Sequence, residues 1–121
     1  MRLRALRGAI TVEANEAEAI LDATTELMRE LMDRNELVAD DIVSCLFTCT
    51  DDLDAEFPAV AARRLGLSAV PLLCTREIDV PGALARTVRV MVHCYAEVER
   101  PPQHVYLREA VSLRLDLQGA Q

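Results

Sequence analysis

Three apolar runs carry arginine where aliphatic side chains would be the usual occupants. They are Leu3-Arg4-Ala5-Leu6-Arg7-Gly8-Ala9-Ile10, Thr87-Val88-Arg89-Val90-Met91-Val92 and Val111-Ser112-Leu113-Arg114. The chain has no lysine, so all 13 of its basic residues are arginine. A guanidinium on a half-buried strand is costly to desolvate unless it meets an anion or a dense set of acceptors. Several converging on one place would bind a small polyanion, with planar forks matched to carboxylates. Strand alternation puts Arg7 with Leu3, Ala5 and Ala9, an inward face, and leaves Arg2 and Arg4 towards solvent. The same rule puts Arg89 with Thr87, Met91 and His93, and turns Val88, Val90, Val92 and Cys94 the other way.

Each of these residues also has a plain structural reading. Arg89 serves equally well in an ion pair at a subunit interface. Tyr106 suits a half-buried position with its hydroxyl satisfied, and Cys74, Cys45 and Cys49 suit small buried sites. His93 and Cys94 are adjacent on a strand and so point apart, a poor metal pair. His104 reads as a strand-end surface residue. Asp51 and Asp52 read as loop solvation, with a divalent-ion role left open. No metal cluster and no nucleophilic triad emerges from the spacing.

The elements that must position these side chains follow from the hydrophobic pattern. Residues 2–12 read as a strand, and Asn15, with Glu18 three residues on, as the cap of a long amphipathic helix. Ala19, Ile20, Ala23, Leu27, Leu31 and Met32 recur at helical spacing, so the helix runs to about Arg34-Asn35 and covers one face of a sheet. Ile42 to Cys49 is a near-continuous apolar strand, a pattern that predicts burial on both sides. Pro58 opens a short helix from Ala59 to Leu65 that stops at Gly66. Val70 to Cys74 is a strand, placed near an edge by Pro71. Asp79-Val80-Pro81-Gly82 is a turn, Thr87 to Tyr95 the clearest central strand, and His104 to Leu107 the last. The stretch from Arg108 to Leu117 fits strand or helical turn. Five strands, one long helix and one short helix make a single α+β domain over residues 1–121 with a mixed sheet.

Hydrophobic residues are 51 % of the chain but aromatics only 3 %. Such a core is adequate but lean, and burial between subunits would supplement it. The formal net charge of −7, from 20 acidic residues against the 13 arginines, argues against nucleic acid and anionic membrane surfaces as partners. An anionic ligand therefore needs a locally positive pocket. The four cysteines form no CxxC pair, which suits a reduced, cytoplasmic compartment. No apolar stretch is long enough for a signal peptide or a membrane span.

Several segments, taken in order, resemble the monofunctional, Bacillus-type (AroH-class) chorismate mutase family. They are Arg7-Gly8-Ala9-Ile10-Thr11-Val12-Glu13, Thr50-Asp51-Asp52-Leu53, Phe57-Pro58-Ala59 with Arg63, and Val70-Pro71 with Cys74, Glu77 and Asp79-Val80. Arg89-Val90-Met91, His104-Val105-Tyr106-Leu107 and Leu113-Arg114 with Asp116-Leu117 complete the set. No single piece is specific; the ordered series, which spans the chain, is. It departs from the family at Val60, where a basic residue is frequent, and at Leu115, where proline is usual.

The resemblance implies a pseudo-barrel homotrimer with active sites between subunits. It implies the rearrangement of chorismate to prephenate, with no metal, cofactor or covalent intermediate. Such a reaction needs a dicarboxylate held in a compact conformer and positive charge where the breaking ether oxygen gains electrons. By analogy Arg89 meets the ether oxygen, and Arg7 and Tyr106 hold the enolpyruvyl carboxylate. Glu77 with Cys74, and Thr75 beside it, faces the ring and its hydroxyl. Arg63 and Arg114 lie near the second carboxylate, with Phe57 and Leu113 as apolar walls. Strict alternation sets Glu77 opposite Cys74, so both reach one pocket only where the strand ends or bulges between them. Two other readings stand beside this one: an enamine or imine deaminase of the RidA type, and a non-catalytic trimer that senses a carboxylated metabolite.

Overall fold

The computed structural model describes residues 1–117, with side chains described through residue 114. Its strands are β1 (Arg2–Thr11), β2 (Ile42–Cys49), β3 (Leu72–Arg76), β4 (Thr87–Ala96) and β5 (Val105–Leu107). The helices are α1 (Ala17–Arg34), α2 (Ala59–Arg64) and α3 (Ser112–Leu117), with 3-10 turns at Ala39–Asp41 and Arg108–Val111. The stretch from Arg108, open between strand and helix in the sequence, is thus helical. The side chain of Leu115, which stands where the resembled family usually has proline, lies outside the described residues.

All five strands form one mixed sheet in the order β3-β2-β4-β1-β5. The most apolar strand, β4, is central and antiparallel to both β1 and β2, while the β1–β5 and β2–β3 pairs are parallel. Pro71 places β3 at an edge, as its missing N–H requires, yet the strand begins only at Leu72. The carbonyl of Pro71 accepts the Cys45 N–H, and the Glu77 N–H donates to the Cys49 carbonyl. Pairing is thereby carried three residues beyond the Cys74 end read from sequence, to Glu77.

Helix α1 lies across one face of the sheet. Ile20, Leu27, Met28 and Leu31 pack on Leu6, Ile10, Phe47, Val88, Val90 and Val92. Gly8 allows a close approach, since a Cβ there would meet Leu31 Cδ1 at 2.8 Å and Leu27 Cδ1 at 3.0 Å. The helix does not use Asn15 as its cap: the N-cap is Glu16, without a side-chain bond. Instead Asn15 Oδ1 accepts the N–H groups of Asp54 and Ala55, and its amide donates to Asp54 Oδ1. The short acidic loop out-competes the helix end for the same side chain.

Among the described residues no helix covers the opposite face along β2 and β3. Val43 and Leu46 remain 41 % and 39 % exposed, so β2 is buried on one side only within this chain. Val43 sits at an irregularity between Ile42 and Ser44. At the β1–β5 side of that same face, Ala9 and Tyr106 are covered by Ala110, Leu113 and Leu84. Arg4, expected in solvent, is half-buried, and its guanidinium donates to the carbonyl of Val98. It holds the turn after β4. Among the described residues no helix is long and apolar enough to cross a membrane.

Candidate active site

The strand registers assemble one row of side chains across the face opposite α1, from its covered β5 end to its open β3 end. Tyr106 pairs with Ala9, Ala9 with Arg89, Arg89 with Thr48, and Thr48 with Thr75. Arg7 lies one step along β1 on the same face, opposite Met91. Ala9 is the small residue of the row and is 1 % exposed. Its size leaves the flanking guanidinium and phenol free of a bulky neighbour between them.

Above this row lies a cleft of about 490 Å³, lined by Arg7, Arg89, Glu77, Asp51, Asp52 and Asp79 among others. Gly82, with φ of 86°, turns the 78–86 segment that walls it. Arg89 Nη1 stands 3.4 Å from Glu77 Oε1, both side chains partly shielded from solvent. The hydroxyl of Thr48 donates to that same oxygen at 2.8 Å. Glu77 follows the last residue of β3 and shares the face of Thr48 and Thr75. The structure therefore brings Arg7, Arg89 and Glu77 together.

Asp52 has a structural task at the cleft wall. Its carboxylate accepts the Arg86 N–H and the Thr50 hydroxyl. Arg86 has φ of 46°, an uncommon conformation for a side-chain-bearing residue. It also donates from Nε to the Val12 carbonyl, and its own carbonyl accepts the Val12 N–H. These bonds pin the end of the 78–86 segment to β1. No group of His, Cys, Asp and Glu among the described residues could hold a metal ion.

The remaining candidates sit apart. Cys74 pairs with Phe47, whose ring is fully buried on the α1 side, so Cys74 faces away from Glu77. Together with Phe57 and Thr75 it lines a second cavity of about 290 Å³ near Pro58 and Cys49. Phe57 is 65 % exposed, and Arg63 is exposed on the last turn of α2. Tyr106 is buried, and its hydroxyl has no hydrogen-bond partner among the described residues. Leu113 packs against the cluster around Tyr106, while Arg114 is exposed on α3.

Two features were missed by sequence reasoning. Thr48 reads as one more residue of an apolar strand, and only the register places it beneath Glu77. His104 is an exposed strand-end residue, as its position in the sequence suggests, yet its Nδ1 also accepts the backbone N–H of Arg7 at 3.0 Å. Partial burial, and then the Arg7 guanidinium, lower its pKa below the ordinary 6.5. Burial pushes the Cys45 and Cys49 thiols up to about 12, with Cys94 adding for the first and Cys74 for the second. Both are protonated near neutral pH and are poor nucleophiles. What the cleft offers is two guanidinium groups set among carboxylates, and hydrogen bonding.

The comparisons with known proteins agree with that chemistry. The model of the family "Chorismate mutase type I" matches residues 3–117. Chorismate mutase AroH of Thermus thermophilus is 46 % identical over 121 residues, covering 98 % of this chain and 99 % of the relative. The AroH protein of Bacillus subtilis is 41 % identical over 119 residues, 97 % of this chain and 94 % of the relative. A solved chorismate mutase from Clostridium thermocellum superposes with a TM-score of 0.87 at 45 % identity, covering 90 % of this chain and 98 % of that one. This chain belongs to the chorismate mutase type I family.

Proposed function

We propose that this chain is a chorismate mutase, an isomerase that rearranges chorismate to prephenate on the route to phenylalanine and tyrosine. The reaction breaks an ether C–O bond and forms a C–C bond within one molecule. It calls for a restricted conformer and for charge placed where the transition state develops it, and the polar cleft is suited to both. Arg89 donates to the ether oxygen as that oxygen gains negative charge. Arg7 and the Tyr106 hydroxyl, which has no partner among the described residues, take the enolpyruvyl carboxylate. Glu77, held by Thr48, faces the cationic character that builds on the ring. The observation that carries this reading is the placement of Arg7, Arg89 and Glu77 in one cleft, with Arg89 beside Glu77.

The same reading makes the complete site a product of two copies in a homotrimer. Within one chain the cleft carries two guanidinium groups, Arg7 and Arg89, against the carboxylates of Asp51, Asp52, Glu77 and Asp79. A dianionic substrate needs more positive charge than that. Arg63 and Arg114 would supply it, with Arg63 brought by a neighbouring copy together with Phe57 and Cys74. The open part of the sheet face supports assembly, since Leu46, Leu73 and Met91 lie on it with no covering element among the described residues.

Arg89→Lys tests the central role. A lysine keeps the charge but loses the planar fork. Titration with a stable dicarboxylate analogue is expected to show retained binding, while turnover falls by about 10²–10³. A near-wild-type rate in Arg89→Lys would remove Arg89 from the ether oxygen.

A further inference from the structure

We infer that His104 and Asn35, neither of which lines the cleft, form a two-step brace that positions Arg7. This rests on the reading of Arg7 as a carboxylate-binding residue. The parallel β1–β5 ladder begins at Gly8 and Val105, one residue past Arg7. At Arg7 the ring of His104 takes over, and Nδ1 accepts the Arg7 N–H at 3.0 Å. The imidazole thus extends the ladder by the one step that holds the peptide carrying the Arg7 side chain.

His104 is held in turn from the end of α1. Asn35, buried at the C-cap, donates to the Gln103 carbonyl at 2.9 Å and accepts the Gln103 N–H at 2.8 Å. A second bond from its amide to the Leu31 carbonyl, at 2.8 Å, ties it to the helix. Leu31 is also the side chain against which Gly8 packs. The helix therefore holds the Arg7 segment twice, directly beneath Gly8 and at the sheet edge through Asn35, Gln103 and His104. The brace needs a lone pair on Nδ1, so it requires neutral imidazole with the proton on Nε2. The partial burial of the ring and the adjacent Arg7 guanidinium favour that state.

The test compares chorismate turnover by the wild-type protein, His104→Asn and His104→Ala. The amide oxygen of Asn stands close to where Nδ1 stands, whereas Ala leaves the Arg7 N–H unmatched. His104→Ala is expected to raise KM about tenfold with kcat little changed, because a displaced Arg7 loses binding made equally in ground and transition states. His104→Asn is expected to stay within about twofold of wild type. A purely structural role would lower thermal stability without this split between KM and kcat. Should His104→Ala fail to fold, His104→Gln takes its place, since its acceptor is one bond too far and KM should rise. Unchanged KM in the Ala or Gln variant, or an Asn variant as impaired as Ala, overturns the brace. A wild type that does not turn chorismate over overturns the functional reading itself, and the brace with it.

Discussion

Glu77 illustrates how much a single rung of the sheet decides. Its carboxylate is shared between the Arg89 guanidinium and the Thr48 hydroxyl, so it cannot swing freely in the cleft. Hydrogen bonds to charged groups contribute about 1.5–3 kcal/mol, and this one is partly exposed to solvent, which reduces it. Thr48→Val is therefore expected to lower kcat/KM by about tenfold while Thr48→Ser keeps most of it, as steady-state kinetics would reveal. His104 supplies a pH signature. Its folded pKa is lowered, so as pH falls below 6.5 the unfolded chain takes up the proton first. Stability should decline through that interval and level off below the folded pKa, and urea midpoints should show a smaller decline in His104→Asn. An equal decline in both proteins would place the acid sensitivity elsewhere, on the carboxylates.

At the scale of elements, α1 and β1 meet closely at Gly8. Gly8→Ala drives a methyl into Leu31 and Leu27, and overpacking of this kind costs about 1–3 kcal/mol. A lower denaturant midpoint with an unchanged slope would report it; an unchanged midpoint would mean the leucine tips yield freely. This joint was legible only in part. Leu27 and Leu31 stand on the helical stripe and Arg7-Gly8-Ala9 on a strand, but their contact is a matter of packing between distant segments. The strands β1, β2 and β4 and the length of α1 were legible because their apolar periods are long and uninterrupted. Asn15, Arg4 and His104 were not, since each carries a side chain whose partner lies in a remote loop or strand. Their residue types suit a helix cap or open water equally well, and sequence offers no means of choosing. The shift of β3 to Leu72–Arg76 has the same origin, since pairing with β2 overrides the local apolar run. Arg7, Arg89 and Glu77 were legible as a group through the family resemblance, whereas the separation of Cys74 from Glu77 follows from alternation alone.

The whole molecule is acidic, yet its proposed substrate is a dianion, and in the proposed trimer a second copy would reconcile the two. Charging the uncovered sheet face should block assembly: Leu46→Glu is expected to shift the sedimenting mass from trimer to monomer and to abolish turnover. A trimer that persists would place the interface on another face. Complementation gives a sharper test of the shared site. Inactive Arg89→Ala and inactive Arg63→Ala subunits, mixed equally and reassembled, should regain about one quarter of wild-type activity if each site draws one half from each of two copies. No recovery would mean that both arginines serve from the same chain. The most direct measurement of the central claim is the conversion itself. Purified protein is mixed with chorismate, and the loss of chorismate is followed beside the appearance of prephenate, for wild type and for Arg89→Ala. Stoichiometric conversion at enzymatic rates by the wild type, lost in Arg89→Ala, is the predicted result. Absence of conversion by an intact wild-type trimer, or conversion that survives in Arg89→Ala, would contradict it.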